Sequence, residues 1–175
     1  MQILLVRHGP AATRDPARWP GDEGRPLTRE GREQTRLVAR GLARLGLPRP
    51  LLVSSPLTRA RSTAEIVRKD LSSILPLQLW EELRPGGSAV DTLKHVGRAK
   101  RRTPLVLLVG HEPELSKIIG LALTGESIGL TRLKKAGAAL LSFSGGVVPS
   151  GGELEWLLTR RQLIALGRAK GKRRI

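Results

Sequence analysis

Three short apolar runs, each stopping abruptly, organise the chain. Ile3-Leu4-Leu5-Val6 ends in Arg7-His8-Gly9, and Leu51-Leu52-Val53 ends in Ser54-Ser55-Pro56. The third, Leu105-Val106-Leu107-Leu108-Val109, ends in Gly110-His111-Glu112-Pro113. None alternates with polar residues. Such runs suit strands covered on both faces, the environment of a parallel sheet. Each leads through turn residues toward a helix-like segment, and helices are predicted over 28–45, 56–71, 89–99, 113–123 and 160–167. In the first, Leu37, Val38, Leu42 and Leu45 recur at helical spacing and Thr28 can cap the start. In the second, Ser55 can cap and Pro56 takes the first helical position, where a missing N–H does no harm. Residues 138–143 and 153–158 read as late strands, the second alternating around Leu154, Trp156 and Leu158. Gly145-Gly146 and Gly151-Gly152 bracket the turn between them, which predicts an antiparallel pair. The expected fold is α/β: a three-layer sandwich with a mostly parallel central sheet, helices on both faces and an antiparallel edge near the C-terminus. Residues 1–167 are expected to form one domain, followed by a frayed basic tail over 168–175. Residues 10–26, rich in Pro, Gly and charge, form a long loop after the first strand, a common position for function.

A length of 175 residues suits one domain with a core of its own. No stretch approaches the roughly 20 apolar residues of a membrane span. The N-terminus has neither a basic region nor a long apolar one, so no signal peptide is expected. The absence of Cys removes disulfides, thiolate chemistry and cysteine-ligated zinc, and fits a reducing cytoplasm. The net charge of +16 is the strongest compositional departure. It implies attraction to anions: nucleic acid, an acidic protein surface, polyphosphate or a phosphorylated substrate. Coding bias accounts for it equally well, because Asn and Tyr are absent, Phe occurs once and Arg is abundant. A nucleic-acid-binding module would use the clusters Lys100-Arg101-Arg102 and Lys170-Gly171-Lys172-Arg173-Arg174. Aromatic residues make up only 2%, with Trp19, Trp80 and Trp156 scattered, so no stacking platform is evident. Nonspecific retention on polyanions is the form of this reading that survives.

The chemistry concentrates at the strand ends. In open α/β sheets, ligands bind beyond the carboxyl ends of the strands. His8 follows the first run directly, with Arg7 before it, and His111 follows the third after one glycine. His95 falls inside a polar helix with no motif around it and is read as structural or exposed. Arg59 lies in the first turn of the helix after the second strand, where side chains lean back toward the anion-favouring end. Arg61 is about 200° further round that helix, so the two do not share a face. Paired arginines and imidazoles suit a phosphate site containing a nucleophile, because guanidinium forks match phosphate oxygens and neutral imidazole attacks well. A metal centre fits less well: there is no third ligand of the right kind, and arginines repel a cation.

Four motifs in order resemble the histidine phosphatase superfamily. They are Arg7-His8-Gly9, Leu27-Thr28-x-x-Gly31-x-x-Gln34, Ser54-Ser55-Pro56-Leu57-Thr58-Arg59-Ala60, and Gly110-His111-Glu112-Pro113. The resemblance implies that His8 is the nucleophile that becomes phosphohistidine. It implies that Arg7, Arg59 and His111 stabilise the transferring phosphoryl group, and that Gly9 lines the substrate site. Arg25 is a second pocket candidate from the long loop, as readily read as an exposed loop arginine. Glu82 falls where the family places its general acid, and its neighbour Glu81 is the alternative. Arg14 stands where many members carry Asn, which sets this chain apart from the mutases. The segment Glu82-Leu83-x-Pro85-x-Gly87 and the short length resemble the compact SixA-type phosphohistidine phosphatases. By that resemblance the substrate is phosphohistidine on a phosphotransfer protein, with no metal or cofactor. A phosphomonoesterase acting on a small anionic or polyphosphate-related substrate is the alternative enzyme.

Overall fold

A computed structural model describes residues 1–71, 73, 75–99 and 103–169. The clusters at 100–102 and 170–174, and the tail beyond 169, lie outside the described residues. The strands are β1 (Gln2–Arg7), β2 (Leu51–Ser54), β3 (Gln78–Leu79), β4 (Leu105–Gly110), β5 (Ala138–Ser142) and β6 (Glu153–Leu158). They form one sheet in the order β3-β2-β4-β1-β5-β6. β1 to β4 run parallel to their partners, whereas β5 is antiparallel to β1, and β6 to β5. The mostly parallel sheet with an antiparallel edge is therefore present as expected.

The apolar runs are continuous because both faces are covered. Ile3, Leu5, Val106 and Leu108 face one core with Leu93, Val96, Ile118 and Phe143. Leu4, Val6, Leu107 and Val109 face the other with Val38, Leu42, Val67 and Leu163. The first core is covered by α3 (Ala89–Ala99) and α4 (Glu114–Thr124). The second is covered by α1 (Arg29–Ala43), α2 (Thr58–Asp70) and α5 (Arg160–Arg168). Each fully buried aliphatic side chain contributes about 1.5–3 kcal/mol relative to exposure. No described helix is long and apolar enough to cross a membrane.

The helix boundaries carry two lessons. Thr28 caps α1 as expected, its hydroxyl accepting from Gly31 N–H at 2.9 Å. Ser55 does not cap α2, which starts at Thr58, two residues later than the Pro56 reading, with Leu57 at its cap. β3 has two residues and no apolar run, so nothing in the pattern announces it.

The parallel order places a crevice between β1 and β4. The chain leaves β1 toward the β2 side and leaves β4 toward the β5 side. Ligand sites of open α/β sheets form where the winding reverses in this way.

Candidate active site

Three strand ends meet at this crevice. Arg7 is in register with Gly110, and the pairing continues one step beyond each strand, with His8 N–H donating to Gly110 O at 3.1 Å. Ser55 N–H donates to Val109 O at 2.9 Å. His8 and His111 are therefore side by side, their ring centroids 5.1 Å apart and tilted by 53°. Both are buried, as is Arg59.

The loop after β1 is locked against the start of α1. Pro10 O accepts from Thr28 N–H at 3.1 Å, and a Cβ on Gly31 would stand 2.0 Å from that carbonyl. Glycine at 31 is what lets the two segments touch. Gly9 has a packing role: a Cβ there would meet Thr35 Oγ1 at 2.3 Å, and its N–H donates to Thr63 Oγ1 at 3.0 Å. That amide already has a partner within the protein.

His8 is held in one protonation state. Its Nδ1 lies 2.7 Å from Gly9 O, and a carbonyl only accepts, so Nδ1 carries the ring hydrogen. Nε2 then keeps a free lone pair. Burial pushes the His8 pKa down to about 3, the Gly9 hydrogen bond opposes this in part, and the charges of Arg59, Arg7 and Arg25 lower it further. The ring is neutral at every physiological pH.

His111 is oriented by Ser55, whose Oγ lies 2.9 Å from Nε2. The same Oγ accepts from Leu57 N–H at 3.4 Å, so its own hydrogen is free to donate to the ring. When Ser55 donates, His111 carries its hydrogen on Nδ1, a buried atom with no protein partner. Burial, then the neighbouring His8, Arg59 and Arg7, press its pKa down to about 2. Arg7 Nε and Arg59 Nε are likewise buried without partners. Three unsatisfied donors in one crevice match the oxygens of a tetrahedral anion.

The arginines are held from several elements. Arg7 donates through Nη1 to Leu133 O at 2.8 Å. Glu112 fixes that loop, accepting from Leu133 N–H at 2.9 Å and from Ser116 Oγ at 2.5 Å. Arg59 Nη1 donates to Asp22 O at 2.9 Å, and Nη2 pairs with Asp22 Oδ2 at 3.1 Å. Arg25 grips the same carboxylate in a fork of 2.5 and 3.2 Å and also donates to Ala12 O. The loop arginine is thus tied to Arg59 through one carboxylate. Arg61, as expected, is exposed and pairs with Glu65 at 3.2 Å.

Asp22 is the residue that sequence reasoning missed. It sits at φ 66° after Gly21 at φ 71°, a left-handed pair at the tip of the long loop. Asp tolerates this backbone better than most residues. The Arg25 hydrogen bond holds its carboxyl below the usual carboxylate range. Its carboxylate fills the guanidinium forks as a phosphate would. Asp22→Asn keeps the shape and removes the charge, leaving Arg59 without a counter-ion. The expected loss is about 1–3 kcal/mol, or roughly 3–10 °C in Tm for a chain of this size. Added phosphate should restore more Tm in the variant than in wild type. An unchanged Tm and an unchanged phosphate inhibition constant would show that Asp22 is a bystander.

Glu82 is engaged by the third imidazole, that of His95. Its Oε1 lies 3.3 Å from His95 Nδ1, and His95 stacks on Trp80 at 3.7 Å. Glu81 pairs with Arg84, which also binds Glu23 and so ties this turn to the long loop. His95 therefore has the structural role expected of it.

A mixed α/β sheet with two imidazoles and two arginines at its parallel strand ends defines a histidine-dependent phosphatase. Residues 3–85 match the histidine phosphatase superfamily (branch 1), and the chain belongs to that family. The phosphohistidine phosphatase SixA of Escherichia coli K12 is 30% identical over 133 residues, covering 73% of this chain and 77% of that protein. An uncharacterised protein of a Picosynechococcus species is 38% identical over 138 residues, covering 78% and 82% respectively. A solved structure of the protein histidine phosphatase SixA complexed with tungstate superposes with a TM-score of 0.80 at 23% identity. It covers 93% of this chain and 99% of its own, and it shows the shared fold.

Proposed function

We propose that this enzyme removes the phosphoryl group from phosphohistidine on a phosphotransfer protein in the cytoplasm, through residues 1–167 acting as one domain. The observation that carries the reading is the His8 tautomer, fixed by Gly9 O with Nε2 free among Arg7, Arg59 and His111.

In the first step His8 Nε2 attacks phosphorus in line. The bond from phosphorus to the leaving nitrogen breaks, and the departing imidazole keeps the bonding pair and takes a proton. Arg7, Arg59 and His111 Nδ1–H face the charge that spreads over the three equatorial oxygens, and their fixed positions carry most of the rate enhancement. In the second step water attacks the phospho-His8 phosphorus and loses a proton, and the N–P bond returns its pair to Nε2. The products are inorganic phosphate and neutral His8.

The leaving group decides between substrates. An alkoxide needs a general acid, whereas an imidazole leaves well once its own nitrogen is protonated. Glu82 is the acid candidate, and its engagement with His95 supports the N–P reading over the ester reading. The measurement is turnover of a phosphohistidine protein, an aryl phosphate and an alkyl phosphate, by wild type and by Glu82→Gln. The expected order is phosphohistidine first and alkyl ester last, with Glu82→Gln within about threefold of wild type on phosphohistidine. High alkyl-ester turnover that collapses in Glu82→Gln would assign the enzyme to phosphomonoesters instead.

A further inference from the structure

Beyond Arg7 the active-site end of the sheet continues into a second concavity of about 810 Å³. Arg7 forms their common wall. The antiparallel direction of β5 and β6 creates this space, because it brings the segment before β5 and the segment after β6 to the same end as His8. The first segment supplies Arg132, Lys134 and Lys135, and the second supplies Arg160 and Arg161. None of these five cations has a carboxylate partner among the described residues. The surface ion pairs of the described residues lie elsewhere, as at Arg29–Glu33, Arg61–Glu65 and Arg84–Glu81.

Arg160 and Arg161 also occupy the wrong end of a helix. Thr159 caps α5 with a complete capping box, so these arginines are its first two residues. Cations there oppose the helix dipole, whose N-terminal end favours anions. A local conflict of this kind is characteristic of a functional surface. Burial, then the charges of Arg7, Arg25 and Arg160, lowers the Lys135 pKa, so pocket and groove share one electrostatic field.

We propose that this groove is a second anion-binding site that receives the acidic side chains flanking the phosphorylated residue of a protein substrate. The chemistry of the lining selects that occupant. The groove holds no aromatic or apolar side chain on which a base would stack, which disfavours nucleotides and nucleic acid. Its cations come from two separate segments and most are exposed, so they suit several carboxylates along a chain better than one compact anion. Charges of this kind act mainly by steering and registering the partner.

The inference rests on the phosphatase reading, and its test separates the two. The groove variant is Arg132→Ser/Arg160→Ser/Arg161→Ser. The control is Arg32→Ser/Arg36→Ser/Arg40→Ser on the exposed face of α1, which removes the same charge elsewhere. Two phosphohistidine peptides, one flanked by Glu and one by Ser, are compared with p-nitrophenyl phosphate. The groove variant should keep kcat/KM for p-nitrophenyl phosphate and the Ser peptide within about twofold, while KM for the Glu peptide rises at least tenfold. The control should match wild type on all three. Equal losses in both variants, or no loss in either, overturn the proposal. Fluorescein-labelled hexaglutamate, read by anisotropy, tests the groove even if no substrate turns over. Weaker binding only to the groove variant supports it. If inorganic tripolyphosphate, and not hexaglutamate, is the ligand lost with the groove arginines, the occupant is a polyphosphate and the acidic-protein assignment falls.

Discussion

His8→Ala is expected to abolish phosphoenzyme formation and lower kcat by at least about 1,000-fold, or about 4 kcal/mol of transition-state stabilisation. Rapid acid-free quenching with labelled substrate should give an acid-labile, base-stable adduct on wild type that maps to residue 8 and is missing in the variant. The wild-type pH profile is part of the same prediction. A His pKa held near 3 means that the ring is unprotonated above that value and gains its proton only as pH falls through it. His111, held near 2, behaves the same way. Once corrected for ionisation of the substrate, kcat/KM should be flat from about pH 8 to pH 4, because it reports groups of the free enzyme. An acid limb near 6.5 that disappears in His8→Ala or His111→Gln would show an imidazole with its ordinary proton affinity, and the derivation above would fail.

Arg59→Ala should be the second most damaging change, lowering kcat about 100- to 1,000-fold, the range seen when one oriented donor to a developing oxyanion is removed. Arg59→Lys should recover little, since an ammonium cannot reproduce the planar fork. The folded state gives a cross-check. Without Arg59, Asp22 loses one of its two guanidinium partners, and the 20–26 loop keeps the Arg25 and Arg84 ion pairs and backbone hydrogen bonds such as Thr58 N–H to Glu23 O at 3.0 Å. Limited proteolysis at the loop should therefore accelerate in Arg59→Ala while α1 to α5 stay protected. Activity within tenfold of wild type would remove Arg59 from the transition state.

The structure brings together the candidates that the sequence places at strand ends. His8, Arg7 and His111 each follow an apolar run that only a covered strand explains, and the sheet converts that one-dimensional pattern into contact. Arg59 was chosen through the resemblance, since a place in the first turn of α2 does not by itself single it out. Asp22 was not legible, because the loop that carries it has no periodicity. Only folding shows that a carboxylate at a left-handed position reaches two arginines. Ser55 was misread because Ser-Pro is a good helix opening. Here the hydroxyl orients His111 while the helix waits until Thr58. Glu82 was placed by analogy alone, and the structure shows it beside His95, which stacks on Trp80. The five groove cations were visible only as part of +16, since two segments far apart in sequence become neighbours through antiparallel pairing.

The interval between the two imidazoles is in effect a gauge cut into the sheet. Their centroids stand 5.1 Å apart, close to the roughly 4.8 Å between neighbouring strands, because each ring follows directly on a rung of the β1–β4 ladder. Backbone hydrogen bonds set that width, and side-chain substitutions in the surrounding loops leave it alone. Divergence at 10–26 or 131–135 can therefore change which molecule is admitted, while the aperture presented to its phosphorus keeps one size.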